Sequence, residues 1–129
     1  MSTPENKLGK QEQLQFLLRN LRMSIPDLRG AFIAAIDGLP IVHSLPADMD
    51  VLRASAMAAT AQGLGKRITE MLKCGQLTEI SVGGSGGLVF IYAAGVHCVL
   101  GVLAANDSNV GLIHLESRDC AKRIAELIG

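Results

Sequence analysis

Two neighbouring segments that are apolar on both faces constrain the fold of this chain most strongly. Residues 88–93 and 96–104 consist mainly of aliphatic, aromatic and small side chains, and Ala94-Gly95 between them suits a hairpin turn. A strand with one face in water alternates polar and apolar residues, whereas these two strands do not. We therefore expect a sheet that is covered by helices on both sides.

Three further segments have strand character and complete the sheet. Residues 77–82 alternate between polar and apolar side chains, which indicates that one of their faces is wet. Residues 29–36 and 40–45 are joined through Asp37-Gly38, a dipeptide typical of tight hairpins, so they should pair antiparallel. Because Pro40 has no backbone N–H, the second of these strands is expected at a sheet edge.

Amphipathic helices are expected near both ends of the chain. Residues 11–23 place leucines three and four apart on one face, and a C-terminal helix follows a cap within residues 106–108. The buried stripe of the C-terminal helix is expected to contain Val110, Ile113, Ser117, Cys120, Ile124 and Leu127. Each of these stripes can be buried against the sheet.

The middle helix is expected to have two different faces. Asp48 or Asp50 can cap its start, and Gly75 suits a left-handed terminator after about residue 74. The face expected to cover the sheet carries Met57, Ala61, Leu64, Ile68, Met71 and Leu72. The nearly opposite face carries Leu52, Ala56, Ala59 and Gly63, spaced four, three and four apart. Such a small-residue stripe lets another helix backbone approach closely.

The element order is therefore α-β-β-α-β-β-β-α, without an internal repeat or a long linker. The predicted fold class is α/β in the α+β sense: a three-layer α-β-α domain with a five-stranded antiparallel sheet. The 129 residues fit a single domain, 1–129, with a core over about residues 8–128 and a polar tail at 1–7.

Charge and cysteine usage exclude several classes of partner. Twelve basic and twelve acidic residues cancel, which argues against a general nucleic-acid binder and against a protein held on a membrane of anionic lipid. The start of the chain has no apolar signal segment, so a cytoplasmic location is expected. The three cysteines form no Cys-x-x-Cys pair and are interpreted as reduced, mostly buried thiols.

The glycine-rich run at residues 83–87 resembles a phosphate loop only in composition. No Lys-Ser or Lys-Thr follows, and the run leads into a strand where a phosphate loop leads into a helix. We interpret it as a flexible hairpin loop, whose role in contacting a partner stays open. Asp37, a formal candidate for a general acid, is explained as a turn residue before Gly38.

The histidines and cysteines predict no catalytic or metal site. His97 and Cys98 are neighbours on an expected strand and point to opposite faces, so a buried thiol and a packed histidine are expected instead of a nucleophile and its base. His43 and His114 have no Cys, Asp or Glu at metal-ligand spacing and are interpreted as surface or boundary residues. No cofactor is expected.

Residues 25–31, Ile-Pro-Asp-Leu-Arg-Gly-Ala, lead to Asp-Gly-Leu-Pro-Ile at 37–41. Together with the element order, this pattern resembles the roadblock (dynein light chain) family over about residues 8–128, in the bacterial and archaeal type similar to the polarity regulator MglB. The resemblance implies a roadblock/profilin-like fold and a homodimer whose third strands pair into one sheet, with the middle helices side by side. The interface would contain Leu52, Ala56, Ala59, Gly63, Thr78, Glu79, Ile80 and Ser81.

The resemblance also implies a function. It predicts a non-enzymatic homodimeric regulator or adaptor of a Ras-like small GTPase, with partner contacts at Arg53, Lys66, Arg67 and Glu70. The alternatives are a passive scaffold subunit of a motor or signalling complex and a small-ligand sensor domain. Taken from the residues alone, the charges on the middle helix, including Lys73, are more simply interpreted as a solvated face than as a rim of partner contacts.

Overall fold

The computed structural model describes residues 9–129. The proposed tail at 1–7, and residue 8 of the proposed core, lie outside the described residues. The helices and strands follow the expected order: α1 Lys10–Ser24, β1 Leu28–Ala35, β2 Pro40–Ser44, α2 Val51–Met71, β3 Glu79–Gly84, β4 Gly87–Ala94, β5 Cys98–Ala104 and α3 Val110–Ile128.

The five strands form one antiparallel sheet in the order β2-β1-β5-β4-β3. The two segments expected to be apolar on both faces are β4 and β5, and β5 is the central strand. β2, which begins at Pro40, lies at one edge as predicted, and β3 lies at the other. Gly38 has φ +96° in the turn between β1 and β2, so the Asp37-Gly38 hairpin is confirmed.

The sheet lies between two helical layers, which confirms the three-layer fold. α1 and α3 cover one face, where residues such as Leu14, Leu18, Leu100 and Ile124 form the larger core cluster. α2 covers the other face over a smaller cluster around Phe32, Ile91 and Val99. Gly101 makes this second cluster possible, because a Cβ atom at this position would collide with the Phe32 ring.

The assignment of the α2 faces was wrong. Met57, Leu64 and Met71 were expected to cover the sheet, but they are 66%, 58% and 82% exposed. Ala61 is half-buried, whereas Ile68 and Leu72 are exposed with the others. The residues that α2 buries are Ser55, Ala58 and Gln62, which lie between the two faces distinguished in the sequence. Small side chains hold α2 close to the sheet: a Cβ atom on Gly65 would lie 3.0 Å from Leu77 and 3.2 Å from Ile80.

Four of the six residues of the stripe expected on α3 are buried. The buried members are Ile113, Ser117, Cys120 and Ile124, and Leu127 packs half-buried against the larger core cluster. Val110, in contrast, is exposed at the start of the helix.

Several boundaries differ from expectation by a few residues. Asp50 caps α2 by accepting a hydrogen bond from the Arg53 N–H at 3.2 Å, and the helix ends at Met71 instead of near residue 74. Asn109, just beyond the predicted cap, caps α3 by accepting from Leu112 N–H. The glycine run is mostly strand, because β3 continues to Gly84 and β4 starts at Gly87.

Candidate functional site

The two edges of the sheet are built differently. At the β2 edge, the side-chain amide of Gln11 donates to the Ile41 carbonyl at 3.0 Å, and that of Gln15 donates to the His43 carbonyl at 3.3 Å. Pro40 adds a position without a backbone N–H. Capped carbonyls and a proline are devices that keep an edge strand from pairing with another chain.

The β3 edge is open. Among residues 9–129, β3 pairs with β4 on one side only, so the backbone groups on its other side face outward. At its hairpin end, Asn106 donates to the Gly84 carbonyl at 2.8 Å and Arg29 donates to the Gly86 carbonyl at 2.6 Å. These bonds connect the glycine run to side chains of other segments, and the flexibility of its tip stays a prediction. An open edge strand is a template for pairing.

α2 packs on one face of the sheet next to this edge, and its outer surface points away from the strands. We name the exposed large side chains on one side of α2 and at its C-cap the outer patch: Met57, Leu64, Ile68, Met71 and Leu72. Met57 and Met71 lie about 21 Å apart along the helix at 1.5 Å per residue. Large exposed apolar patches mark interaction sites.

The middle and the ends of the small-residue stripe of α2 have different surroundings. The Cα of Ala56 lies 3.3 Å from where a Cβ on Gly38 would be, and the Cβ of Ala59 lies 4.0 Å from it, so this part packs near the β1–β2 turn. A Cβ on Gly63 would meet nothing within 4 Å. Leu52 is 62% exposed. The ends of the stripe therefore remain accessible to another helix.

The charges expected to bind a partner are not brought together as one group. Arg53 is near the start of α2 and pairs with Asp50, with 3.4 Å between Nε and Oδ2. Lys66, Arg67 and Glu70 lie in the second half of the helix, about 20 Å further along at 1.5 Å per residue. The structure thus separates them into a single arginine and a cluster of three.

A polar cluster that the sequence analysis missed joins β3 to α3. The Tyr92 hydroxyl is 2.8 Å from His114 Nδ1, and Glu79 Oε1 is 4.0 Å from the same nitrogen. Arg118 pairs with the Glu79 carboxylate, and Thr78 Oγ1 donates to it at 2.6 Å. Glu79 and Arg118 are 39 residues apart, so helix periodicity could not reveal the pair.

Hydrogen bonding and burial explain the pKa values in this cluster. The hydrogen bond from Thr78, followed by that from Arg118, holds the pKa of Glu79 below its ordinary value. Burial raises the pKa of Tyr92 to about 12. Tyr92 is therefore neutral and Glu79 ionised at neutral pH, and the contacts of Glu79 with Arg118 and His114 join the first residue of β3 to α3.

The other candidate residues are dispersed. His97 is exposed in the β4–β5 turn, so the expectation of a packed histidine was wrong, because β5 begins only at Cys98. Cys98 and Cys120 are buried and Cys74 is exposed. His43 is exposed on β2. Within residues 9–129, no group of three His, Cys, Asp or Glu side chains could hold a metal ion, and no helix is long and apolar enough to cross a bilayer.

Comparison with known proteins identifies the family. The family model described as "Roadblock/LC7 domain" matches residues 14–104. The chain belongs to the Roadblock/LC7 family. The resemblance noted in the sequence is therefore confirmed, and it extends from the first buried leucine of α1 to the end of β5. A search of curated proteins found no match.

Solved structures confirm the fold of this roadblock domain. It is similar to an MglB with a tetrameric arrangement, with a TM-score of 0.84 and 15% identity over 93% of this chain and 90% of the other. A Roadblock/LC7 domain from Streptomyces avermitilis gives a TM-score of 0.81 at 20% identity, with 88% and 95% covered. Profilin IA from Acanthamoeba castellanii gives 0.58 at 10% identity, with 87% and 98% covered. The profilin-like architecture is thus confirmed.

Proposed function

We propose that this roadblock domain forms a homodimer through β3 and α2, and that the dimer regulates or tethers a Ras-like small GTPase without being an enzyme. The observation that carries the proposal is the outer patch of α2, which is exposed beside the open edge of β3. The MglB with a tetrameric arrangement supports self-association of a chain with this fold.

Burial of the outer patch supplies a driving force for dimerisation. Each large apolar side chain contributes roughly 1.5–3 kcal/mol when it is fully removed from water. Pairing of β3 with β3 would satisfy the outward backbone groups of both chains at once, and the two-fold symmetry would bring the two α2 helices together. The proposed interface residues Thr78, Glu79, Ile80 and Ser81 lie at or beside this edge.

Family membership and the resemblance to MglB-type regulators support the GTPase as partner. The cluster of Lys66, Arg67 and Glu70 offers charged contacts at the margin of α2, where rim charges tune association with a partner more than they hold the dimer together.

The test uses the purified chain and a candidate Ras-like GTPase chosen from the genes that neighbour its own. We expect a dimer mass in light scattering, no GTP hydrolysis by the chain alone, and binding that differs between the GDP and GTP states. Charge reversal by Lys66→Glu and Arg67→Glu should weaken binding about tenfold while the dimer mass is retained. A monomer mass would contradict the dimer. Binding that ignores both nucleotide and charge reversal would favour the passive scaffold.

A further inference from the structure

A groove of about 660 Å³ lies between the second half of α2 and the β4–β5 turn. Its surface combines an amide, charged groups and an apolar wall: Gln62, Lys66, Glu70, Lys73, Leu77 and Val96. This volume is within the range of about 300–1,000 Å³ in which proteins bind ligands. The groove is separate from the outer patch, because no side chain of the outer patch lines it.

Gln62 is the unusual residue of the groove. It is 2% exposed, and its Oε1 has no hydrogen-bond partner within the described part of the chain. A buried polar atom without a partner costs roughly 1–3 kcal/mol, so native structures usually provide one. A side-chain amide carries both donors and an acceptor, which match the C=O and N–H of an extended peptide backbone. The missing partner can thus come from a bound peptide.

The charged groups around Gln62 favour one kind of peptide. Lys66 and Lys73 contribute two positive charges and Glu70 one negative charge, and none of them takes part in the ion pairs found among residues 9–129. The net charge is positive, so a carboxylate-bearing segment is attracted. The apolar side chains of such a segment can contact Leu77 and Val96. Val96 is 70% exposed.

We propose that this groove binds an extended acidic peptide segment of a partner protein, with Gln62 bonding to its backbone and Lys66 and Lys73 pairing with its carboxylates. The site would give the domain a second mode of recognition besides the GTPase contacts. The proposal does not depend on the identity of the GTPase. Lys66 is shared with the proposed GTPase contacts, and Lys73 is therefore the better residue to vary.

Peptides that bind the full chain are selected from a random displayed library. The binding of synthetic copies of these peptides is then measured by fluorescence anisotropy, in the absence of any GTPase. We expect enriched peptides to be acidic, and to bind Gln62→Leu and Lys73→Glu about tenfold more weakly than the original chain. Lys122→Glu, which changes an exposed lysine on α3, should bind them normally. Light scattering should give all three variants the same mass as the original chain.

Four results would overturn the proposal, and the first three are no enrichment, enrichment without an acidic bias, and binding that survives both groove variants. Loss of binding by Lys122→Glu to the same extent would show a general charge effect and would also overturn it. Failure of the GTPase experiment leaves these measurements unaffected, because no GTPase is present in them. Lys73→Glu keeps the test valid if Gln62→Leu does not fold, since Lys73 is exposed.

Discussion

Glu79 shows how a single residue connects the edge strand to the rest of the molecule. Its carboxylate accepts hydrogen bonds from Thr78 and Arg118 and lies near His114 at the base of β3. These interactions favour the ionised form, so its pKa is lower in the folded chain than in the unfolded chain. The stabilisation is complete above the ordinary carboxyl pKa of 4.5 and is lost as pH falls through the lowered value.

We therefore expect Glu79→Gln to remove part of the pH dependence of stability. The free energy of unfolding of the original chain should fall more steeply below pH 4.5 than that of the variant. Urea unfolding followed by circular dichroism at a series of pH values measures this difference. Glu12→Gln, an exposed change on α1, is the control and should keep the original slope. Parallel curves for Glu79→Gln and the original chain would contradict the assigned role.

At the scale of elements, α2 shows why sequence patterns were sufficient for some features and misleading for others. β4 and β5 were recognisable because burial on both faces leaves continuous apolar runs, and Asp37-Gly38 was recognisable because its turn is local. In α2, the larger side chains were assigned to the core, yet the helix buries Ser55, Ala58 and Gln62. Hydrophobic periodicity indicates which residues share a helix face. It does not indicate whether that face packs against the chain's own sheet or against a partner.

The candidate site was predictable only in part for the same reason. The sequence placed β3 at an interface and identified Gly63, both of which remain predictions. The cluster around Glu79 and the groove at Gln62 depend on contacts between distant segments. Arg118 on α3 meets Glu79 on β3, and Val96 in the β4–β5 turn lines a groove with α2. No local pattern carries that information.

Gly63 gives a prediction at this scale. Gly63→Leu meets open space within the chain, and leucine favours a helix over glycine by roughly 0.7–1 kcal/mol, so the fold should be preserved. If the α2 helices lie side by side, the added side chain separates their backbones and weakens the dimer about tenfold. Sedimentation over a dilution series measures the dissociation constant.

The control is Gly86→Leu, which also meets nothing within 4 Å but lies in the β3–β4 turn. It should leave the dissociation constant unchanged. Equal weakening in the two variants would place the interface elsewhere. Gly65→Leu is a different case, since its side chain would press on Leu77 and Ile80 and disturb the chain itself.

For the molecule as a whole, the glutamines of α1 are expected to restrict where the sheet can extend. Gln11→Ala together with Gln15→Ala removes the donors to Ile41 and His43 and uncovers the β2 edge. We expect this variant to form species larger than the dimer as its concentration is raised, whereas the original chain stops at the dimer. Light scattering distinguishes the two outcomes. Asn20→Ala, an exposed change on the same helix, is the control and should behave as the original chain does.

In the dimer proposed above, the contrast between a capped edge and an open edge would leave each chain one edge available for pairing. A molecule with two reactive ends polymerises, whereas a molecule with one reactive end can only form a pair and then terminate growth. An interface that meets its own copy across a two-fold axis is closed in this sense. In the proposed dimer, the two glutamines of α1 would therefore limit the assembly to a pair, because they keep the β2 edge from pairing with a further chain.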